Sequence, residues 1–293
     1  MFDFSFVFRS LPQPTGYHTV DEDLASSLVY NIATCNHSNL DVSTLSNFFF
    51  GAMNEVNRDM RSYMRCVAKG RKLLSSPHSA LLYISTIKDK DIIQCLHHLS
   101  KECEPAKIRV MKYIRLTMSA AFSVIRKLDN VRLIHLVRDP RAMMDSQLRK
   151  NDMGVEDMPV FMERTVEMCR HMRDDLRLAS EIEAEYPGLI YSLRYEDMTD
   201  EPMAIAREIF EFLNEEFKEM DKTYVKHRSI NSSNNSTVRA AVWRSHITKE
   251  HLAVVDEQCG DLYDTLGYIP FTSIEEVRDA NSKSHKPKVS MKS

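Results

Sequence analysis

The sequence predicts an α/β protein in which helices flank a parallel β-sheet, and three observations carry that prediction. Strand-like segments alternate with longer helical segments along the 293-residue chain, which is the order typical of α/β folds. The segment VRLIHLV (131–137) is almost continuously apolar, as in strands covered on both faces of a parallel sheet. Each strand is followed by a helix, and such connections are right-handed crossovers between parallel strands.

The first half of the chain supplies two strands and several helices. FSFVF (4–8) predicts a short strand because aromatic and β-branched residues favour extended structure. The stretch 21–72 has an irregular helical pattern, and 78–86 is either a short strand or a loop. A helical period with a charged start covers 89–103, and the alternating segment 107–116 predicts a second strand.

The next elements repeat the strand and helix order. A helix over 117–128 begins with Thr117 as its N-cap, and the strand 131–137 follows it. A long helix then carries apolar residues at three- and four-residue spacing on one face, namely Met162, Val166, Cys169, Met172, Leu176, Ala179 and Ile182. The turn sequence EYPG ends this helix before a third strand over 189–197.

The C-terminal part adds two helices and a tail. One helix has Pro202 in its first turn, where proline is tolerated. A polar loop covers 229–237, and a final helix runs from Thr248 to Gly267. The charged, polar tail 272–293 is predicted to be disordered. With no internal repeat and no linker, we predict one domain over 1–271.

Composition disfavours several classes of function. The chain has 39 basic and 42 acidic residues, so no overall basic field attracts duplex nucleic acid. Its seven glycines form neither G-x-x-x-x-G-K nor G-x-G-x-x-G, which argues against a P-loop kinase-like enzyme. We expect no signal peptide and no membrane anchor in this chain, because its start lacks a basic region and the uncharged stretch 42–54 is short.

The cysteines and asparagine sequons point towards an oxidising compartment. Six cysteines allow three disulfides or six free core thiols, and no clustered Cys/His spacing predicts a metal site. Four sequons favour N-glycosylation in the lumen of the secretory pathway, and they lie at Asn36, Asn231, Asn234 and Asn235.

The segment LIHLVRDPRAMMDS (133–146) carries the most specific chemistry. Arg138 ends the apolar strand, where ligands bind in parallel sheets. Asp139 and Pro140 fit an N-cap and the first helical position, and Ser146 follows two turns later. An arginine fork with a hydroxyl donor suits a phosphate monoester. From spacing alone, a surface arginine and a solvated serine remain the alternative.

This segment resembles the 3′-phosphate-binding element of the Golgi carbohydrate sulfotransferase family, including the spacing of eight residues from Arg138 to Ser146. Five further segments resemble the same family in the same order, and together they cover residues 5–270. They are ATCNHSNLD (33–41), KIRVMKYIRLTM (107–118), LRYEDMTDEPMAIAREIFEFLN (193–214), STVRAAVWRSHIT (236–248) and CGDLYDTLGY (259–268).

The resemblance implies the sulfotransferase fold, a P-loop-NTPase-like parallel sheet flanked by helices. It also implies transfer of a sulfuryl group from the co-substrate 3′-phosphoadenosine 5′-phosphosulfate to a glycan or glycoprotein hydroxyl in the Golgi lumen, without a metal. Arg138 and Ser146 would anchor the 3′-phosphate, and Tyr195 would lie near the adenine. The residues implied to close over the nucleotide are Arg239, Trp243 and Arg244, and those implied to meet sulfate or an anionic glycan are Lys112 and Arg115.

The resemblance also pairs cysteines. The family places the helices of Cys169 and Cys259 close together, which implies a disulfide between them. We add Cys95 with Cys103 as a second predicted pair. For both pairs, two buried thiols are the alternative.

The sequence departs from the family at its start. Family members carry an R-S-G-S-S-type loop that holds the 5′-phosphosulfate, and no such stretch occurs here. Arg9, in FVFRSLP (6–12), stands where the family has a candidate basic Glu. We therefore expect the first strand and its loop to be missing, the domain to be incomplete at its N-terminus, and this chain to have little activity. The alternative is a catalytically dead relative that binds a nucleotide or a glycan.

Overall fold

The computed structural model describes residues 6–9, 22–40, 58–67, 89–114, 116–149, 157–230 and 236–288. The described residues up to 129 form one compact unit, and those from 130 onward form another. Both units combine helices with a small parallel sheet, which confirms the α/β class. The single domain over 1–271 and the missing first strand and loop stay predictions.

The first unit contains a two-stranded parallel sheet and five helices among its described residues. Strand β1 pairs with β2 so that Phe6 lies opposite Met111 and Arg9 opposite Ile114. Thr117 caps the last helix of the unit, as predicted, because its hydroxyl accepts from the Ala120 N–H at 3.2 Å. The elements are β1 Phe6–Arg9, α1 Glu22–Ala33, a 3₁₀ turn His37–Asn39, α2 Arg58–Val67, α3 Asp89–Cys95, α4 His97–Cys103, β2 Met111–Ile114 and α5 Met118–Ile125.

Two disulfides lie in the core of the first unit. They join Cys35 to Cys103 and Cys66 to Cys95, so the predicted pair Cys95–Cys103 is wrong. The two cysteines end consecutive helices, α3 and α4, and each helix packs its cysteine against a different partner. The segment 78–86, predicted as a strand or a loop, lies outside the described residues.

His37 is fully buried in the first unit, and its Nδ1 lies 3.1 Å from the Ser100 hydroxyl. Burial lowers the pKa of His37 to about 4 from 6.5. As the pH is lowered, the unfolded chain takes up a proton on His37 near pH 6.5, whereas the folded chain takes it up only near pH 4. The free energy of unfolding therefore decreases as the pH is lowered from about 6.5 to about 4. The loss for a shift of this size is about 3 kcal/mol.

We expect His37→Gln to flatten that part of the pH dependence. The measurement is the free energy of unfolding of both proteins by urea denaturation between pH 7.5 and pH 4. Because carboxylates titrate equally in both proteins, the difference between the two curves isolates His37. Parallel curves for the variant and the wild type would contradict the prediction.

The second unit is built on β3 and β4, which run parallel with Leu133 opposite Ile190 and Val137 opposite Arg194. Both strands therefore end at the same edge of the sheet. The described elements are β3 Leu133–Val137, α6 Pro140–Arg149, α7 Met158–Glu185, β4 Ile190–Arg194, α8 Tyr195–Asp200, α9 Pro202–Phe212, α10 Glu219–Ile230, α11 Ser236–Ala241, a 3₁₀ turn Val242–Ser245, α12 Lys249–Leu266 and α13 Ile274–Arg278.

Strand β3 is not covered on both faces, contrary to its continuous apolar character. Ile134 is 38% exposed and Leu136 is 48% exposed, whereas Val137 is buried. The described helices of this unit therefore cover one face of β3 and leave the other partly exposed. An apolar run does not distinguish a strand covered on both faces from a strand covered on one face, because the residue types alone do not show which elements pack against each face.

Helices α6, α7 and α12 enclose the main core of the second unit. The disulfide between Cys169 on α7 and Cys259 on α12 confirms the predicted pair. Met162 and Val166, predicted on the buried face of α7, are exposed. The stripe that faces the core starts instead at Phe161. Its buried members are Phe161, Thr165, Met168, Cys169, Ala179 and Ile182, and the partly buried Met172 and Leu176 pack against the same cluster.

Residues 272–288 are ordered, so the structure does not support the predicted disorder there. Helix α13 is capped by the Ser273 hydroxyl, and Val277 is buried in a cluster with Trp243. A bridge then joins His285 to Tyr268. The polar side chains of the tail predicted a solvated segment. Its backbone groups instead form hydrogen bonds with residues far away in sequence. Within the described ranges, no helix is both long and apolar enough to cross a membrane.

Candidate functional site

The candidate site lies where β3 and β4 end together. Helix α6 begins at Pro140, as predicted from the Asp-Pro pair. Asp139 satisfies the first turn, because its Oδ1 accepts from the Arg141 N–H at 2.9 Å and its carbonyl accepts from the Met143 N–H at 3.0 Å. The chain therefore turns sharply after Arg138, and the arginine side chain is held at the edge of the sheet.

Three of the predicted nucleotide-binding residues meet at this edge. The Arg138 guanidinium lies 4.9 Å from the centre of the Tyr195 ring, and its Nη2 donates to the Arg239 carbonyl at 3.3 Å. Arg138 is half-buried, and its Nε is enclosed but has no hydrogen-bond partner among the described residues. A buried guanidinium N–H without an acceptor costs free energy unless a ligand accepts its hydrogen bond. An anionic acceptor forms the strongest such bond.

Ser146 lies on α6, roughly 9 Å along the helix axis from Pro140 at 1.5 Å per residue. Its side chain is half-buried. No hydrogen bond occupies its hydroxyl within the described ranges. Ser146 is therefore available as a donor.

Trp243 and Arg244 contact other parts of the protein around α13. Trp243 is 1% exposed and sits in a core cluster with Phe271. Arg244 donates to the carbonyls of Val277 at 2.8 Å and Asp279 at 2.6 Å. Both residues thus hold α13 in place, and the closing role implied for them over a nucleotide stays a prediction.

The remaining predicted residues lie elsewhere. Lys112 is exposed on β2 in the first unit, and Arg115 lies outside the described residues. Asn36 is half-buried at the start of the 3₁₀ turn. The other three sequon asparagines also lie outside the described residues, namely Asn231, Asn234 and Asn235.

A buried polar network supports the site, and sequence reasoning missed it. Glu196, next to Tyr195, accepts from the Asp139 N–H at 3.2 Å and from the Tyr268 hydroxyl at 2.9 Å. Burial raises the pKa of the Glu196 carboxyl, and the charge of Asp139 adds to the rise. Glu196 therefore ties the end of β3 to the start of α8.

Two buried arginines complete this network. The Arg141 guanidinium pairs with Asp139 at 2.8 Å and is fully buried. Three aromatic rings surround it at 4.7–5.0 Å, those of Trp243, Tyr263 and Phe271. Arg194 donates through Nε to Asp197 at 2.9 Å and through Nη1 to the Leu266 carbonyl at 2.9 Å.

The only sequence signal for these two arginines was their position inside segments that resemble a family. Both are long charged residues, which are rarely buried without partners. Their partners include main-chain carbonyls more than 70 residues away, which no local pattern reveals. Within the described part of the chain, no group of three or more His, Cys, Asp or Glu side chains could hold a metal ion.

Part of the chain is similar to one known protein family. Residues 86–219, which include β3, α6, β4 and α8, match the family described as the sulfotransferase family. No solved structure matches the chain.

Three similar proteins are carbohydrate sulfotransferases. Carbohydrate sulfotransferase 4 of Mus musculus is 23% identical over 61% of this chain and 53% of its own length. Carbohydrate sulfotransferase 2 of Mus musculus is 25% identical over 64% and 44%, and carbohydrate sulfotransferase 5 of Homo sapiens is 23% identical over 78% and 64%. The chain thus spans about half the length of the curated relatives it matches. These matches show that residues 86–219 are similar to the sulfotransferase family and that the chain is similar to carbohydrate sulfotransferases.

Proposed function

We propose that this protein transfers a sulfuryl group from 3′-phosphoadenosine 5′-phosphosulfate to a hydroxyl of a glycan. The observation that carries the proposal is Arg138, held at the carboxyl end of β3 beside a tyrosine ring. Its enclosed Nε has no hydrogen-bond partner among the described residues. The similarity to carbohydrate sulfotransferases supports the glycan as the acceptor class.

The residues at the site fit the 3′-phosphate end of that nucleotide. Arg138 offers charge and a directed N–H, and Ser146 offers a neutral O–H from α6. Tyr195 offers a ring face close to the same guanidinium, which suits an adenine. When bound, the nucleotide would supply the sulfuryl group, while these side chains fix its orientation.

The compartment belongs to the same proposal. Three disulfides join all six cysteines, and disulfides persist in oxidising compartments. Together with the four sequons, they support a glycoprotein of the Golgi lumen.

A second candidate function is nucleotide binding without transfer. It needs only the half-site that the described residues form around Arg138, where the guanidinium lies beside the Tyr195 ring and bonds the Arg239 carbonyl. Transfer needs charge stabilisation at the 5′-phosphosulfate as well as an anchor at the 3′-phosphate. A sulfate-transfer assay on glycan acceptors, run with this chain, decides between the two: turnover supports the enzyme, and binding without turnover supports the second candidate.

Replacing Arg138 with alanine should weaken binding of adenosine 3′,5′-bisphosphate by about 10- to 100-fold, because a hydrogen bond to a charged group contributes about 1.5–3 kcal/mol. Binding of adenosine 5′-monophosphate, which lacks the 3′-phosphate, should change little. Isothermal titration calorimetry measures both. Arg170→Ala, an exposed arginine of α7 paired with Asp174, is the matched control and should bind like the wild type. Equal losses for the two nucleotides, or none, would refute the anchor.

A further inference from the structure

The C-terminal residues 284–288, here called the strap, lie antiparallel to 267–269. Backbone bonds join the two segments, since the Ile269 N–H donates to Ser284 at 2.9 Å and the Lys286 N–H donates to Gly267 at 2.8 Å. Side chains pin the strap further. His285 Nε2 lies 2.9 Å from Asp200 Oδ2, and Lys288 Nζ contacts the Glu208 carboxylate.

Carbonyls of the strap accept hydrogen bonds from both buried arginines. The Ser284 carbonyl lies 3.3 Å from Arg141 Nη2, and the Lys286 carbonyl lies 2.9 Å from Arg194 Nη2. The two arginines are 0% and 1% exposed. Water cannot readily replace an acceptor lost at such a depth, so each guanidinium depends on the strap for part of its hydrogen bonding.

The arginines in turn hold the backbone that carries the candidate site. Arg141 binds the carboxylate of Asp139, the residue directly after Arg138. Arg194 directly precedes Tyr195 and binds Asp197. Each buried arginine therefore acts on a residue next to the candidate site. A shift of either guanidinium would move the backbone that carries Arg138 or Tyr195, whose side chains lie 4.9 Å apart.

We propose that the strap is a positioning element of the nucleotide site, which sets the geometry of Arg138 and Tyr195 without touching the ligand. This inference rests on the proposed function, because it takes these two side chains as the ones that meet the nucleotide. It extends the site to a segment whose composition predicted disorder. Pro287 contributes by restricting Lys286 to extended backbone.

The test compares Lys286→Pro with Lys286→Ala in the full chain. Proline removes the N–H that bonds Gly267, whereas alanine keeps the backbone bonds and removes only the Nζ contact with Asp264 at 3.3 Å. The readout is the ratio of the affinities for adenosine 3′,5′-bisphosphate and adenosine 5′-monophosphate. We expect proline to lower this ratio about tenfold and alanine to leave it unchanged.

The ratio separates positioning from a general loss of structure. Partial unfolding weakens the binding of both nucleotides by the same factor, because it only lowers the fraction of protein molecules that can bind. His285→Ala, which removes the bond to Asp200, provides a milder variant and should lower the ratio about threefold. A wild-type affinity ratio in both Lys286→Pro and His285→Ala would overturn the proposal while leaving the proposed function intact.

Amide exchange in the nucleotide-free protein supplies a readout that does not depend on binding. The Asp139 amide, which bonds Glu196 at 3.2 Å, should exchange faster in Lys286→Pro than in Lys286→Ala. If the wild type binds neither nucleotide, the proposed function fails, and this exchange rate alone judges the strap. Equal rates in the two variants would then overturn it.

Discussion

Replacing Arg141 with alanine is expected to lower the free energy of unfolding of the second unit by about 3–5 kcal/mol, the range for removing one partner of a buried ion pair. Asp139 would remain buried at 1% exposure without its cation. The carbonyls of Ile269 and Ser284 would lose a donor. The rings of Trp243, Tyr263 and Phe271 would be left around an empty volume.

The chain offers a convenient probe for this experiment. Trp243 is its single tryptophan, and its ring lies 4.9 Å from the Arg141 guanidinium. Urea unfolding followed by tryptophan fluorescence therefore reports on the affected cluster. Arg141→Lys should be intermediate, because lysine keeps the charge but lacks the planar fork that meets a carboxylate and two carbonyls.

Arg177→Ala is the matched control for that measurement. Arg177 pairs with Glu181 on the surface of α7, and both side chains are more than half exposed. Exposed pairs contribute about 0–1 kcal/mol, so this variant should unfold like the wild type. A loss below about 1 kcal/mol for Arg141→Ala would show that the pair and its aromatic surroundings do not stabilise the unit.

Local patterns predicted the part of the site that depends on local physics. Asp139-Pro140 predicted the start of α6, because capping and a fixed φ act within a few residues. The apolar run predicted β3, and Arg138 followed from its end. Tyr195 and Arg239 could be placed beside Arg138 only through the family resemblance, since their meeting depends on the register of β3 with β4 and on the packing of α11.

Long-range partners explain what the sequence did not predict. Arg141 and Arg194 are charged, and their burial follows from carbonyls at 266–269 and 284–286. The tail was predicted disordered for the same reason: its own composition is polar, and the groups it satisfies are distant. Cys95 and Cys103 lie close in sequence, yet Cys95 joins Cys66 on α2 and Cys103 joins Cys35 in the turn after α1.

The corrections on α7 and β3 have a related cause. Met162 and Val166 fit a helical stripe as well as Phe161 and Thr165 do, and an apolar periodicity cannot say which side meets the core. The packing of α7 against α12, which brings Cys169 to Cys259, helps fix its rotation. The same two cysteines form the one disulfide of the second unit.

Removing this disulfide by the double substitution Cys169→Ala and Cys259→Ala should destabilise the second unit by about 4 kcal/mol. The bridge joins residues 90 apart, and the loss of unfolded-chain entropy grows with loop length, reaching about 4.7 kcal/mol for a 100-residue loop. The cost in the folded state is small by comparison, because alanine leaves only the volume of two sulfur atoms at positions that are 0% exposed. The double variant is cleaner than either single one, since it leaves no thiol to form a wrong bridge.

Urea unfolding followed by Trp243 fluorescence again gives the measurement, with reductant as the internal control. The wild type in reductant should approach the double variant, because both lack the same cross-link in the unfolded chain. The double variant should shift little on adding reductant in the Trp243 transition. A wild-type transition that reductant leaves unchanged, with two free thiols found at these positions by mass spectrometry, would mean that α7 and α12 are held by packing alone.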